Sequence, residues 1–324
     1  MSSTRAERRR SKVAVAVINW NDLASSLRCL ASVRQASPET ILVLVDNGSD
    51  EDPRLAVKAE CPEVHVVRLD SNCGYAAGCN AGAGAAIDRG AEFVLLLNND
   101  TTIDRDTLPA LSHAAELHPN SILAPKIVYA DHPNVVWSAG GTVSGPMLRN
   151  EHLGDQDPTS RWEVSNRVDW ATGCALFLSV DLFRRLGPMD EAYFLYLEDV
   201  DWCLRGAHLG IETWFVPDAV VRHEVSRTLR APQWSDHVRY YAYRNRYRLA
   251  FRHGSVLTRP IVVADGVWTL AKAGIRSVTS SAHRHDTHYH VRTRAVVDFF
   301  RQRWGPFVPP RSRDSQGVNV AAVK

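Results

Sequence analysis

No stretch of this 324-residue sequence holds the roughly 18 uncharged apolar residues that a bilayer-spanning helix needs. The best candidate, Ile261 to Ile275, is broken by Asp265 and Lys272. No secretory leader is expected, because the basic start runs into an apolar segment only from Val13 to Ile18. Cys29, Cys61, Cys73, Cys79, Cys174 and Cys203 form no Cys-x-x-Cys pair and no zinc-type spacing. These absences argue against a helical membrane protein, a disulfide scaffold and a zinc module, and predict a cytoplasmic chain with reduced thiols. Internal repeats are lacking. Net charge is only +2 but unevenly spread: Arg5, Arg8, Arg9, Arg10 and Lys12 crowd the start, and arginine is dense after Arg239. Such asymmetry suits an anionic surface, either membrane or nucleic acid, or simply a solvated tail and a charged helix face.

What is present reads as α/β. Short apolar runs at Val13–Ile18, Ile41–Val45, Val64–Leu69 and Phe93–Leu97 predict buried strands. Helical segments alternate with them: one capped by Asn21 or Asp22 with Leu23, Leu27, Leu30 and Val33 on its apolar face, and a small-residue helix from Tyr75 to Arg89. That alternation predicts a mostly parallel, right-handed, Rossmann-like sheet. After Leu117 the pattern loosens. Strands are expected at Ser121–Val128, Val135–Val143, Val168–Val180 and Ile211–Val216, and helices at Asp181–Leu186 and Glu198–Leu209. The division expected is a basic tail (1–12), a catalytic domain (13–230, halves 13–118 and 119–230), a helical extension (231–310) and a disordered tail (311–324).

The polar residues fall where such a sheet places ligands. Asn19-Trp20-Asn21, Asp46-Asn47 and Asn98-Asn99-Asp100 follow the first, second and fourth strands, so all three loops lie at the carboxyl edge of the sheet. Each alone is an ordinary turn; together they describe a crevice. Asp46 could accept hydrogen bonds from a base or ribose, and Asp100 could hold Mg2+ or Mn2+ on a diphosphate, since hard oxygen ligands suit those ions. Asn72, Gly74, Gly78 and Asn80 add glycines where a helix begins close to the ligand. Glu198, Asp199 and Asp201 follow the aromatic run Tyr193–Leu197. They could merely complement a helix dipole, or one could act as a general base toward a sugar hydroxyl. His223 reads as a core histidine or a neutral ligand. The run His283–His290 reads more readily as a solvated loop than as a metal site.

In order, these motifs resemble the family 2 glycosyltransferases of GT-A fold, most closely the bacterial rhamnosyltransferase-like branch. The carrying residues are Val17–Asn21, Val45–Ser49, Asn72-x-Gly74-Tyr75-Ala76-x-Gly78-x-Asn80, Leu95–Asp100, Asp169–Gly173, Phe194–Asp201, Pro217-Asp218-Ala219 and His223. The resemblance spans about residues 13 to 252. It implies an inverting, metal-dependent enzyme that moves one sugar, rhamnose among the candidates, from a nucleotide-diphosphate sugar to a glycan or polyprenyl-linked acceptor in cell-envelope polysaccharide synthesis. Asn19, Asp46, Asn47, Asn72, Gly74, Gly78, Asn80, Asn98 and Asn99 would face the donor. Asp100 and His223 would hold the metal, Asp199 with Glu198 and Asp201 would supply the base, and Trp170, Thr172, Gly173 and Arg205 would face the acceptor. One departure is that Asn98 stands where the family's Asp-x-Asp motif has its first acid. The Gln-x-x-Arg-Trp pattern of processive synthases is missing, which favours single addition. The partners implied include an anionic membrane surface and no nucleic acid, with the enzyme peripheral at the inner face of the plasma membrane. Arginines and aromatics alternating from Arg239 to Arg252 would make that contact, although Tyr243–Arg246 also resembles a family stretch that could serve the active site.

Two rivals share parts of this pattern. A nucleotidyltransferase would be expected to follow its first strand with a glycine-rich, basic phosphate loop, where this chain has Asn19-Trp20-Asn21-Asp22. A non-catalytic nucleotide-sugar-binding module would bind the donor and transfer nothing.

Overall fold

The computed structural model describes residues 11–225, 236–279 and 287–307. The arginines from Arg5 to Arg10, the tail from residue 311 and His283–Asp286 of the histidine tract lie outside the described residues. The apolar runs form the centre of a ten-stranded sheet. β1 (Val13–Asn19) lies between β2 (Ile41–Asp46) and β4 (Phe93–Asn98), and β3 (His65–Arg68) extends the sheet beyond β2, all in parallel. Both faces of these strands are covered, which is why they read as continuous apolar runs rather than alternating ones.

The helices follow their local chemistry. Asp22 caps α1 (Leu23–Ala36) by accepting from the Ser25 backbone N–H. α2 (Arg54–Glu60) follows β2. α3 (Tyr75–Asp88) is built almost wholly from small residues because it lies close on the sheet: a Cβ added at Gly82 would sit 2.8 Å from the Ala16 Cβ.

The second half of the sheet is mixed. β5 (Thr101–Ile103) and α4 (Thr107–Leu117) lead to β6 (Ser121–Tyr129) and β7 (His132–Ser138), and a separate pair, β8 (Gly141–Ser144) and β9 (Arg149–His152), follows. The single strand expected over Val135–Val143 therefore divides, at Gly140, whose φ of 84° turns the chain. Val168–Val180 divides likewise into β10 (Asn166–Val168) and β11 (Ala175–Ser179), with residues 169–174 forming a loop between them. β11 runs antiparallel to β4 with Ala175 opposite Leu97, which brings that loop to the carboxyl edge of β1, β2 and β4. After α5 (Val180–Leu186) and α6 (Glu198–His208), β12 (Glu212–His223) runs past the expected end at Val216. Its pairing with β6 slips between Val216 and Val220, where Pro217 has no N–H to donate, then resumes to His223.

Three helices complete the described chain: α7 (Asp236–His253), α8 (Thr258–Thr279) and α9 (Thr287–Phe300). Tyr240, Tyr241, Arg244 and Tyr247 of α7 are buried, packing with Val291, Ala295, Val296 and Phe307. The interfacial face expected of α7 is thus largely an interior one. Alternating arginine and aromatic residues bury well when each guanidinium finds carbonyls, carboxylates or ring faces.

Two substitutions on α3 test the packing. Gly82→Ala should cost about 1–3 kcal/mol by overpacking. Gly84→Ala meets open space and should gain about 0.5–1 kcal/mol from helix propensity. Denaturant unfolding of the two variants checks the opposite signs.

Candidate active site

Buried polar residues collect at the carboxyl edge of the sheet. Asn19, closing β1, donates to the Asp46 carboxylate (2.9 Å) and to Ser49 Oγ (3.1 Å), and accepts from Ser26 Oγ (2.8 Å). Asp46 is fully buried, and its second oxygen pairs with Arg68 at 2.6 Å. Asn47 ties down the next loop, donating to Gly74 O and accepting from the Cys73 N–H. Asn72 accepts from the Gly74 N–H. The edge is thus preorganised before any ligand arrives.

Past β4, the Asn99 amide donates to Asp22 O and Ser26 Oγ. β12 delivers His223 to the same edge, where its Nε2 lies 3.2 Å from Asp100 Oδ1. This is ion-pair distance without hydrogen-bond alignment: Asp100 Oδ1 and His223 Nδ1 are both buried with no hydrogen-bond partner among the described residues. Burial opposes the imidazolium, but the Cys174 sulfur and the Asp100 carboxylate outweigh it and lift the His223 pKa to about 10; a divalent cation on Asp100 would reverse that balance, because ligation takes the neutral ring and releases its proton. A chain of tilted and edge-to-face aromatic contacts backs the pair, running from Trp170 through His152 and Trp137 to His223 with ring centroids 4.6–4.8 Å apart. Burial drives His152 down to about 4, so it is neutral. Apart from Asp100 with His223, the described residues bring together no larger group of His, Cys, Asp or Glu able to hold a metal. One hard carboxylate and one imidazole, both unsatisfied, fit Mg2+ or Mn2+, ions that commonly keep waters and phosphate oxygens as their other ligands.

The other acids stand at the start of α6. Asp199 accepts from the Gly173 N–H at 2.7 Å and from the Val200 N–H at 2.8 Å, and keeps partial exposure. Burial raises its pKa against those two donors. Glu198 is raised further, by burial and by the Asp199 charge, and its Oε2 has no partner among the described residues. The loop 172–174 joins the two groups: Gly173 holds Asp199, while Cys174 lies beside His223. Tyr75, which the motif reading gave no role, donates to Gly173 O at 2.5 Å. The approach to these acids is strained. Phe194 has φ 63° and ψ −58°, the centre of a rare γ-turn closed by Leu195 N–H to Tyr193 O at 2.8 Å. Tyr196 and Leu197 also have positive φ. Such residues cost about 1–3 kcal/mol each and persist only where surroundings enforce them.

The remaining candidates are placed otherwise. Asp201 is fully buried among Tyr193, Arg205, Arg252 and His253. Arg205 spends its guanidinium on Asp201 and the carbonyls of Leu186 and Pro188. Asn80 bridges to Met189 and Glu191. Gly78 lets α3 approach Ile18, and Gly74, at φ 90°, lets the Phe194 carbonyl pass. The Trp170 ring is buried and donates to Thr142 O, whereas Thr172 stays beside Gly173 in the joining loop. The edge therefore gathers Asn19, Asp46, Asn47, Asn72, Asn98–Asp100, Thr172, Gly173, Glu198, Asp199 and His223. Arg68, Tyr75, Trp137 and His152 were not singled out in sequence, and only Tyr75 lies inside a quoted motif.

A parallel first half, a mixed second half and acids gathered at their common edge give the GT-A fold. The family model described as glycosyl transferase family 2 matches residues 14–181, just over half the chain, and the chain belongs to that family. It is 31% identical over 229 residues to the N-acetylglucosaminyl-diphospho-decaprenol L-rhamnosyltransferase of Mycobacterium tuberculosis, covering 63% of this chain and 74% of that protein. It is 26% identical over 189 residues to a low-salt glycan biosynthesis hexosyltransferase of Haloferax volcanii, covering 57% of this chain and only 60% of the relative. Among solved structures, the mannosyltransferase of Pyrobaculum calidifontis in complex with GDP-Man and Mn2+ superposes with a TM-score of 0.55 at 16% identity, over 91% of this chain and 89% of that one.

The acids differ in what they do for stability. Glu198, raised in the folded state, favours folding only while protonated: that contribution is present below its unfolded pKa of about 4.3 and lost as pH rises through the folded value. Glu198→Gln should therefore raise stability at neutral pH. Asp201→Asn should cost about 1–3 kcal/mol by taking the buried carboxylate from the partly exposed Arg205 and Arg252. Melting temperatures at neutral pH check both signs.

Proposed function

We propose that this glycosyltransferase moves one sugar from a nucleotide-diphosphate sugar to a hydroxyl of a glycan or polyprenyl-linked acceptor, inverting the anomeric configuration. The observation that carries the reading is Asp199: a partly exposed carboxylate, raised by burial and aimed by the Gly173 N–H, on the same sheet edge as Asp100 and His223. Asp46, Asn19 and Asn47 form the nucleotide side, with Asn72, Asn98 and Asn99 beside them. Asp100 and His223 would hold a divalent cation on the diphosphate, where it would offset charge developing on the leaving group. The mannosyltransferase solved with GDP-Man and Mn2+ supports that choice of ion. Asp199 takes the proton of the acceptor hydroxyl as its oxygen attacks the anomeric carbon from the face opposite the diphosphate. A raised carboxyl pKa suits such a base, because proton-transfer driving force improves as the pKa nears working pH. Thr172 and Gly173 border the acceptor side. The M. tuberculosis relative's name supports rhamnose as the sugar and a diphospho-lipid as the acceptor carrier.

Asp199→Asn should lower kcat by on the order of 10²–10⁴ while donor affinity stays nearly constant. Transfer should fall as pH drops through the raised Asp199 pKa, and Glu198→Gln should leave that acid limb nearly in place, because Glu198, raised further than Asp199, is already neutral where Asp199 titrates. Chelator should abolish activity and Mn2+ or Mg2+ restore it. Rates and donor titrations on the two variants check this. Near-normal turnover of Asp199→Asn, or full activity in excess chelator, contradicts the assignment.

A lipid-linked acceptor would place the crevice at a membrane face. No helix among the described residues is long and apolar enough to cross a bilayer. α8 and the turn before it expose Val256, Leu257, Ile261, Val267, Trp268 and Ile275, with Lys272 over the Trp268 ring and Arg259 nearby. Apolar and aromatic side chains flanked by cations suit an anionic interface. The protein should float with anionic but not neutral vesicles at low salt, and Ile261→Ser/Trp268→Ser should weaken flotation. Failure to float with either vesicle would favour an acceptor free in solution.

A further inference from the structure

One face of α7 grips the whole segment that carries the acids. Arg244, Arg248 and Arg252 recur every four residues, so they lie on one face of the helix, with Asn245 and His253 next to them. Arg248 and Arg252 hold the Asp190 carboxylate at 2.6 and 2.7 Å. At the other end of the segment, His253 Nε2 lies 2.8 Å from Asp201 Oδ1. Between them, Arg244 donates to the carbonyls of Ala192 and Tyr193. Asn245 Nδ2 lies 2.7–2.9 Å from the carbonyls of Tyr193, Leu195 and Tyr196. Those carbonyls flank the γ-turn at Phe194 and the two further positive-φ residues that lead into Glu198 and Asp199.

The chemistry of the pair is specific. Arg244 is a fully buried cation, packed within 5.5 Å of the ring centroids of Tyr240, Tyr241 and Trp304. Its Nε donates to Asn245 Oδ1 at 3.0 Å, which fixes the amide's orientation so that both amide N–H groups face the turn. A turn with its carbonyls splayed inward collapses to ordinary backbone unless donors meet those carbonyls. Asn245 supplies them, and Arg244 orients Asn245.

We propose that Arg244 and Asn245 are positioning residues for transfer: they impose the strained turn that aims Asp199 at the acceptor hydroxyl, so the C-terminal helices belong to the catalytic apparatus. This rests on the reading of Asp199 as the base. The matched family region ends at residue 181, before both Asp199 and the pair.

The test is a double-mutant cycle between Asn245→Ala and Asp199→Asn, with Asn245→Ser as the conservative variant. Rates are expressed per donor-binding site from calorimetric titration, so that partial misfolding does not count as lost catalysis. Asn245→Ala should lower kcat about a hundredfold, the size expected for a misplacement of about 1 Å. Donor affinity should stay within about threefold, and Asn245→Ser should recover part of the loss. In the Asp199→Asn background Asn245→Ala should change the residual rate less than threefold. A kcat for Asn245→Ala within threefold of wild type overturns the inference while leaving the base reading standing. So does an equal loss in both backgrounds, or a loss that follows donor affinity. Should Asn245→Ala bind no donor, Asn245→Ser carries the same cycle with the same outcomes. Activity retained by Asp199→Asn removes the base reading and this inference together.

Discussion

The constraint on which the rest depends is the burial of two adjacent carboxylates, Glu198 and Asp199, at the end of a turn the chain would not adopt unaided. Burial raises both acids, and the Asp199 charge raises Glu198 further. The compensation is local: the Gly173 and Val200 N–H groups on Asp199, and the amino end of α6, whose dipole favours negative charge. Gly173 is held in turn by Tyr75. The stabilisation forgone at the acids is recovered away from the edge, in the sheet core and in the Asp201 and Asp190 clusters.

The sheet explains why Asp199 and His223 come to one edge. β1, β2 and β4 are parallel, so their carboxyl ends share an edge. β11 enters antiparallel, so its preceding loop reaches that edge, and β12 must pass its bulge at Pro217 to bring His223 there. The loop 172–174 then touches both Asp199 and His223. One short segment thus sets the relative placement of Asp199 and His223.

Much of this was legible in the chain. The four parallel strands announce themselves because strands covered on both faces are continuously apolar. Asp46, Asp100, Asp199 and His223 stand out because each follows an apolar run at a position the fold turns to one edge. Other features had no local signal. Nothing near Arg68 marks it as the partner of Asp46, since that pair forms across two strands. The contact of Trp137 and His152 behind His223 depends on long-range packing. The loop at 169–174 was read as strand because Val168–Val180 is apolar enough to be one. Arginine and tyrosine alternating along α7 fit a lipid interface and a polar interior equally well in composition. Burial of Arg244 among three rings and several carbonyls decides in favour of the interior.

A single displacement driven by one carboxylate, with no enzyme nucleophile, has one stereochemical outcome. The anomeric configuration of the first-formed product, read by NMR against the configuration of the donor, is therefore the most direct measurement. Inversion in every product molecule is the predicted result. Retention would require a front-face route or a double displacement in which a carboxylate serves as nucleophile rather than as base, and would contradict the account.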